Sequence, residues 1–379
     1  MSGSLPFTFH RPALASQLAD ALLGRSPFGY GSGLFLAAPR RTGKSTFLRQ
    51  DLVPELERRG LATLYVDLWS DRQRDPASLI ADVVKSALRA SDNRAVKVLK
   101  ASGLSKIGLG PFASFDIDKL GTPQGATLAD ALAALARKTG KPVALVIDEA
   151  QHALASDAGV QAMFALKAAR DAMNQTQGEP NLTLVFTGSH RDKLSNLMLR
   201  RDQPFFGAGF LDFPLLGRDY CDAYCAWLNE RLAPGNRFEP DDVFEAFAIL
   251  GCRPELLQNV LRDEALGMDL ASGLKQRLAG GAKHLRERLW EDFDREFAQL
   301  TDVQKAALKL IAEHGDRFSP FAAETLAIVS DRAGQRVESS QMQAALDGLR
   351  HKNIVWRSAR ATYALEDQAL ADWLLARDA

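Results

Sequence analysis

Five short apolar runs, separated by stretches of helical spacing, most constrain how this 379-residue chain can fold. Strands that are apolar on both faces need helices on each side, which is the arrangement of a parallel α/β sheet. The alternation therefore predicts an α/β core over about the first 215 residues. The predicted strands are residues 33–38, 61–68, 143–147, 182–186 and 210–213.

Beyond this core the pattern is almost wholly helical. Three predicted helices between residues 218 and 266 suggest a small helical lid. Further on, three helices precede two short strand candidates, an order typical of a winged helix. The sequence thus predicts an α/β core (1–215), a helical lid (216–280) and a linker helix with a winged-helix domain (281–379). A glycine-containing insertion at 102–118 indicates no function.

Composition excludes several classes of protein. The 47 basic residues balance 47 acidic ones, so any nucleic acid or acidic partner must meet a local patch. Cys221 and Cys225 lie one helical turn apart without a second pair, which favours half-buried helix positions over a zinc site. Met1 to Arg11 lack the pattern of a leader, and no apolar run approaches a membrane span. A reduced, cytoplasmic protein without membrane contact is expected.

One loop carries the strongest chemical signal. Residues 38–45 read Ala-Pro-Arg-Arg-Thr-Gly-Lys-Ser, a phosphate-loop pattern in which Ala38 replaces the first glycine. Such a loop directs backbone N–H groups at a phosphate, while Lys44 supplies a charge and Ser45 a magnesium ligand. Its position between a strand and a helix makes a chance match in a turn the weaker interpretation. The predicted nucleotide-binding residues are Pro39, Arg40, Arg41, Thr42, Gly43, Lys44, Ser45 and Thr46.

Two carboxylates follow the third predicted strand. Asp148 is predicted to hold magnesium, and Glu149 to orient and deprotonate a water that attacks a γ-phosphate. A solvated acidic pair at a strand end is the alternative. Thr187 and Ser189 end the fourth strand, which in a parallel sheet lies beside the phosphate loop. Either could contact the γ-phosphate, although a plain turn would place them similarly.

These motifs resemble the archaeal-type P-loop ATPases related to the signal-transducing STAND and initiator branches of the AAA+ superfamily. The resemblance spans about residues 9–260, and the predicted winged helix extends it to nearly the whole chain. Its most specific carriers are the string at 39–45 and Ile-Asp-Glu-Ala-Gln at 147–151. The other carriers are Phe-His-Arg at 9–11, Thr-Gly-Ser at 187–189, Pro-Phe-Phe-Gly at 204–207 and Gly-Cys-Arg-Pro at 251–254.

The resemblance implies a role for each matching residue. Lys44 and Ser45 would bind phosphate and magnesium, and Asp148 would also bind magnesium. Glu149 would be the catalytic base and Ser189 a sensor. An AAA+-like P-loop NTPase core of α/β class is the fold that this implies.

The same resemblance places the N-terminal segment beside the base. Phe9, His10 and Arg11 are therefore base-pocket candidates, and Pro254 belongs to the lid motif. The chain has no Asn-Lys-x-Asp string for reading guanine, which favours adenine. Gly-Ala at 207–208 replaces the usual Gly-Arg, so the standard trans-acting arginine is in doubt and slow hydrolysis is expected.

Other arginines leave alternatives open. Arg200 and Arg201 could act on a neighbour's nucleotide or be solvated, and Arg253 could reach the phosphates or remain exposed. Near the C-terminus, no acidic residue occurs from Gly348 to Leu365. Duplex DNA could bind this local patch, and a docking role for the domain is the alternative. The basic side chains concerned are Arg350, Lys352, Arg357 and Arg360.

These observations predict an ATP-binding and ATP-hydrolysing molecular switch. Nucleotide, as ATP or ADP with Mg²⁺, would change the orientation of the winged-helix domain and so its binding to DNA or protein. The alternative is a nucleotide-locked binding module with negligible turnover. A nucleotide kinase is disfavoured, because no acceptor-pocket motif accompanies the loop. Self-association and the biological process remain open.

Overall fold

A five-stranded parallel sheet forms the centre of the first half of the chain. The computed structural model describes residues 7–27, 29–101, 127–175, 178–199, 201–266, 273–359 and 362–377, so the insertion at 102–118 lies outside it. The strands are β1 (Leu34–Ala37), β2 (Ala62–Asp67), β3 (Val143–Asp148), β4 (Leu182–Gly188) and β5 (Phe210–Asp212), and they lie in the order β2-β3-β4-β1-β5. All five predicted strands are confirmed.

The strand register brings the functional ends together. Ala37 pairs with Gly188 across β1 and β4, and Asp67 pairs with Asp148 across β2 and β3. Because the strands are parallel, their carboxyl ends therefore meet at one edge of the sheet.

Helices cover both faces of this sheet. Phe35 and Phe186 stack 4.6 Å apart on one face, where Leu132 and Leu166 pack against them in a single buried cluster. A second cluster lies on the opposite face and includes Leu48. The helices are α1 (Pro12–Leu22), α2 (Lys44–Phe47), α3 (Val53–Arg58), α4 (Pro76–Ala101), α5 (Leu128–Thr139), α6 (Asp157–Met173) and α7 (Arg191–Ser195).

Local signals explain where several helices begin. A single π-helical turn, Leu48–Leu52, joins α2 to α3, so the helix after the phosphate loop runs without a break from Lys44 to Arg58. Thr127 caps α5 in a capping box with Asp130. A 3-10 turn, Ala150–Ala155, follows β3, and Ser156 then caps α6.

Four helices follow the sheet: α8 (Arg218–Asn229), α9 (Pro240–Ile249), α10 (Pro254–Leu266) and α11 (Leu274–Ala298). They share one buried cluster, in which Cys221 and Cys225 are fully buried rather than half-buried. Helix α11 begins at Leu274, before the predicted residue 281, and Gly281 within it lets it approach α10 closely. A Cβ on Gly281 would lie 2.7 Å from a carboxylate oxygen of Glu264.

The C-terminal part combines helices with a strand pair. Strands β6 and β7 are antiparallel, and Leu346, Tyr363 and Trp373 lie in its buried cluster. The predicted order of three helices before two strands is confirmed, and a further helix follows the strands. None of the described helices is both long and apolar enough to cross a membrane. The elements are α12 (Asp302–His314), α13 (Ala323–Ala333), α14 (Ser339–His351), β6 (Val355–Ala359), β7 (Thr362–Leu365) and α15 (Gln368–Arg377).

Candidate nucleotide site

The loop between β1 and α2 has an unusual backbone. Arg41 and Gly43 have positive φ angles of 67° and 84°, and Gly43 is the residue from which α2 starts. The Thr42 hydroxyl donates a hydrogen bond to the Pro39 carbonyl at 2.9 Å, which closes the loop on itself. Ala38 does not adopt a positive φ, so its Cβ is compatible with this backbone. The departure from the glycine pattern therefore leaves the loop intact.

Lys44 is the first residue of α2 and is only 5% exposed. Its ammonium lies 3.4 Å from the Ala38 carbonyl. Burial lowers the pKa of Lys44, and the nearby carboxylates of Glu149 and Asp148 only partly offset this. A poorly solvated cation at a helix N-terminus is well placed to bind a phosphate.

Asp148 ends β3 and is 1% exposed. The Tyr65 hydroxyl donates to its Oδ2 at 2.7 Å, and the Thr187 hydroxyl donates to its Oδ1. Burial alone would raise the pKa of Asp148, but hydrogen bonds from Ser45, Thr187 and Tyr65 outweigh it and lower the pKa. The carboxylate therefore stays charged beside the Ser45 hydroxyl, a pair of oxygen donors that suits Mg²⁺.

Glu149 adopts a positive φ of 54° and turns its side chain toward the end of β4. Its Oε2 accepts a hydrogen bond from the Ser189 hydroxyl at 2.8 Å and another from the Gln151 amide. The Arg40 Nε donates to the same Ser189 hydroxyl at 3.4 Å. The structure thus brings Glu149, Ser189 and the phosphate loop into contact.

A cavity of about 360 Å³ lies over this edge of the sheet. It contains every predicted residue of the phosphate loop from Pro39 to Thr46 together with both carboxylates. Asp67, the last residue of β2, and Trp69, two residues further on, also line it. Neither residue was predicted from the sequence. The full lining is Pro39, Arg40, Arg41, Thr42, Gly43, Lys44, Ser45, Thr46, Asp67, Trp69, Asp148 and Glu149.

A second cavity, of about 130 Å³, adjoins the first through Thr42, Gly43 and Thr46. Of the predicted base-pocket residues, Phe9 and Arg11 line it, and so does Pro254 of the predicted lid motif. His10 does not, because its ring instead bonds Asp51 at 2.8 Å. The remaining lining is Phe7, Thr8, Phe47, Phe213, Leu216, Tyr220 and Gln258.

Several predicted residues lie away from both cavities. The Arg253 guanidinium pairs with Asp367 of the C-terminal part rather than with the phosphate loop, because the turn before α10 faces that part. Arg201 is exposed, and Arg200 lies outside the described residues.

The basic C-terminal residues have separate surroundings. The Arg350 Nε donates to Asp192 at 2.8 Å, and the Arg357 backbone N–H donates to the same carboxylate at 3.2 Å. Lys352 is exposed, and Arg360 lies outside the described residues. The predicted DNA patch is thus partly turned toward the α/β core, since α7 packs against β6.

His190, which lies beside the site, makes the stability of the folded protein depend on pH. Burial, with the nearby cations of Arg40 and Lys193, lowers its pKa to about 4, while Glu149 acts in the opposite direction. The folded protein then binds fewer protons than the unfolded chain as pH falls from about 6.5 to about 4, so stability decreases over that window.

We expect His190→Gln to remove part of this acid-induced loss of folding stability. Since the ring is half-buried and solvent screens it, the acid-induced fall in Tm should shrink by about 2–4 °C. Melting curves at pH 7 and pH 4.5 measure the effect, with the exposed His351→Gln as control. Equal falls in both variants would refute this assignment.

Comparison with known proteins supports the class of fold. Residues 29–197 match the family model described as an AAA domain. With its parallel sheet, phosphate loop and paired carboxylates, the chain has the fold of an AAA+ P-loop NTPase. Comparison with curated protein sequences returns no match.

Among solved structures, the chain is similar to a Walker-type ATPase of Pyrococcus abyssi, with 18% identity, a TM-score of 0.56, and 97% of this chain and 96% of that chain covered. It is also similar to the ORC2 protein of Aeropyrum pernix. The ADPNP-ADP complexes of that protein give 15% identity and a TM-score of 0.51, over 98% of this chain and 96% of that one. The ADP form of the same protein gives 16% identity and a TM-score of 0.55, with 100% of this chain and 97% of that chain covered. At these identities the likeness shows the fold alone.

Proposed function

We propose that this protein is an ATP-binding and ATP-hydrolysing molecular switch. The observation that carries the proposal is the meeting of Lys44, Asp148 and Glu149 in one cavity at the edge of the sheet. A phosphate-binding cation, a charged magnesium ligand and a proton acceptor are the groups that nucleotide hydrolysis needs.

Binding uses the loop and the start of α2. Lys44 and the loop N–H groups would hold the β- and γ-phosphates, and the Ser45 hydroxyl and Asp148 would hold Mg²⁺. When bound, the metal neutralises charge that develops on the phosphate oxygens. Asp148 is ready for this role because its hydrogen bonds keep it ionised.

Hydrolysis then requires a positioned water. The water oxygen forms a bond to the γ-phosphorus, the bond from that phosphorus to the bridging oxygen breaks, and Glu149 accepts the water proton. ADP and phosphate leave. Ser189 and Arg40 would lie close enough to contact the γ-phosphate. The Ser189 hydroxyl donates a hydrogen bond to Glu149, and Arg40 donates one to the same hydroxyl.

The adjoining cavity would hold the adenine. Phe9 and Tyr220 give it aromatic walls, and Gln258 lies on the helix that starts at Pro254. The Arg11 guanidinium donates to the Pro214 carbonyl at 2.7 Å, which secures the N-terminal segment over the pocket. The base would thus touch both the sheet and helix α10.

We further propose three domains with the predicted boundaries: an ATPase core (1–215), a lid (216–280), and a linker helix with a winged helix (281–379). Separate buried clusters around Phe35, Phe247 and Leu346 support this division. The winged-helix proposal is supported by the three helices that precede the antiparallel pair β6 and β7. Its partner would be duplex DNA, and a protein partner is the other outcome of the test.

The decisive experiment is steady-state ATP turnover with and without duplex DNA. DNA-stimulated turnover would support the DNA-coupled switch, and turnover indifferent to DNA would favour a protein partner. Negligible turnover with nucleotide retained through purification would favour the nucleotide-locked module, an alternative suggested by Ala208 in place of the family's arginine.

The DNA proposal makes a separate prediction for Arg357→Ala with Arg360→Ala. Loss of two phosphate contacts should weaken binding and reduce the slope of log K against log salt by about 2. Fluorescence anisotropy over a salt series measures this. A control with equal charge loss is Arg317→Ala with Arg336→Ala, which removes two exposed cations of the same part. Equal slopes for both double variants would eliminate this DNA contact.

A further inference from the structure

An aromatic ring at the nucleotide cavity carries two guanidinium groups. Trp69, two residues after β2, lines that cavity. The guanidinium carbon of Arg40 lies 5.0 Å from the centre of the Trp69 ring, and that of Arg72 lies 4.4 Å from it. The His152 ring lies 4.3 Å from the same ring, centre to centre. Contact with an aromatic face stabilises each cation but does not neutralise its charge.

A third cation, Lys193 of α7, acts on the same place. Burial lowers the pKa of the His152 ring, and the Glu149 carboxylate only partly offsets this. The positive charges of Lys193, Arg40 and Arg72 lower that pKa further. Because charges shift a pKa appreciably only at short range, the three cations converge around His152. We call Arg40, Arg72 and Lys193 the cationic rim.

Neighbouring cations have acidic partners that the cationic rim lacks. Arg74, in the same loop as Arg72, pairs with Asp82. Arg191, two residues before Lys193, pairs with Asp212 at 3.0 Å. Within the described part of the chain, no salt bridge joins a cation of the rim to a carboxylate. Like charges without partners repel one another, so a bound anion would stabilise this arrangement.

The nearest carboxylates are already engaged elsewhere. Glu149 Oε2 accepts hydrogen bonds from the Ser189 hydroxyl at 2.8 Å and from the Gln151 amide. Asp67 lies 3.6 Å from the Arg49 guanidinium. The positive charge of the cationic rim is therefore open to a ligand from solution.

The cationic rim starts where the γ-phosphate of ATP would lie. Arg40 belongs to the phosphate loop, and its Nε donates to the Ser189 hydroxyl at 3.4 Å. Arg72 and Lys193 are exposed and do not line the nucleotide cavity, so the rim extends from this position toward solvent. Hydrolysis would release orthophosphate at the inner end of the rim. The oxygens of this anion accept strong, charge-assisted hydrogen bonds from arginine and lysine.

We propose that the cationic rim binds the orthophosphate released from ATP while ADP still occupies the nucleotide cavity. This inference rests on the proposed function and assigns a site to its product. Arg40 would contact the phosphate before and after cleavage, and Arg72 and Lys193 would bind the free anion from the solvent side. Phosphate held there delays its own release and prolongs the product state of the switch.

The test adds inorganic phosphate to the full chain in the presence of saturating Mg²⁺ and ADP, at low ionic strength. Isothermal calorimetry measures the Kd for phosphate. Arg72→Ala should raise this Kd about fivefold, and Arg72→Ala with Lys193→Ala about 20-fold, because each change removes one charge-assisted bond at an exposed position. The matched control is Arg74→Ala, which removes a cation of the same loop that Asp82 already neutralises and should leave the Kd unchanged.

Tryptophan fluorescence locates the bound phosphate. Because the Arg72 guanidinium lies over Trp69, an anion that draws it away should change the emission of this ring. Trp69→Phe keeps an aromatic ring beneath Arg72 and should still bind phosphate in calorimetry, but the change in emission should disappear. A change in emission that persists in Trp69→Phe would place the phosphate elsewhere and overturn the proposal.

The remaining outcomes separate the possible errors. Equal Kd values for phosphate in Arg72→Ala and Arg74→Ala overturn the cationic rim, and so does a parallel loss of ADP and phosphate affinity in Arg72→Ala. Acetate that binds as tightly as phosphate would indicate a site for a carboxylate of a protein partner and overturn the assignment to product. If wild type binds ADP but no phosphate, the rim fails alone. If wild type binds neither ATP nor ADP, the proposed function fails.

Discussion

Replacing Lys44 by alanine is expected to raise the Kd for ATP about 100-fold. Hydrogen bonds to charged groups contribute about 1.5–3 kcal/mol, and about 2.7 kcal/mol corresponds to 100-fold in Kd. The effect should be confined to ligand binding, because burial of Lys44 already lowers its pKa and disfavours its charged form. The Tm without ATP should therefore stay constant or rise slightly.

Isothermal calorimetry and melting curves with and without ATP measure both effects. Lys141→Ala removes an exposed cation before β3 and serves as the matched control. Stabilisation by ATP should persist in that control and vanish in Lys44→Ala at ligand concentrations below the raised Kd. Equal ATP affinity in the two variants would show that the nucleotide site has been misplaced.

Glu149→Gln should abolish turnover and preserve binding. A positioned general base contributes about 10²–10⁴-fold, so turnover should fall by at least about 100-fold. The amide keeps the size of the side chain and can still accept the bond from Ser189, while loss of a negative charge near the phosphates does not weaken ATP binding. A split between lost turnover and retained affinity is therefore the diagnostic result.

The measurement combines ATP turnover with ATP affinity for the same preparation. Glu179→Gln, at an exposed pair with Arg25 away from the cavity, is the control for loss of one carboxylate. Wild-type turnover in Glu149→Gln would exclude this residue as the base. Parallel loss of turnover and affinity would instead indicate a structural role.

The sequence predicts the local parts of the molecule well. The phosphate loop and the acidic end of β3 are contiguous strings whose chemistry depends on a strand and the turn after it. Strand positions follow almost as directly, because the apolar runs of β1, β3 and β4 are buried on both faces. Even the capping of α5 by Thr127 depends only on residues three apart.

Contacts between distant segments could not be predicted. Tyr65 reaches Asp148 across two neighbouring strands, and Trp69 joins the cavity only because β2 lies beside β3. Their one signal in the sequence was an aromatic residue within β2 or just after it. The sequence left open whether Arg253 and Arg350 meet phosphates, and their acidic partners lie 114 and 158 positions away in the chain.

The segment that contains Phe7 and Phe9 packs against helix α8, which lies far away in the sequence. Phe7 packs against Tyr224 and Trp227 at 5.0 and 5.6 Å, and Phe9 meets Tyr220 edge-on at 5.7 Å. Their partners lie more than 200 residues further along the chain and are therefore synthesised later. The sheet can therefore assemble before Phe7, Phe9 and Tyr220 line the cavity beside the phosphate loop. The final placement of Phe7 and Phe9 must therefore wait until helix α8 has been synthesised.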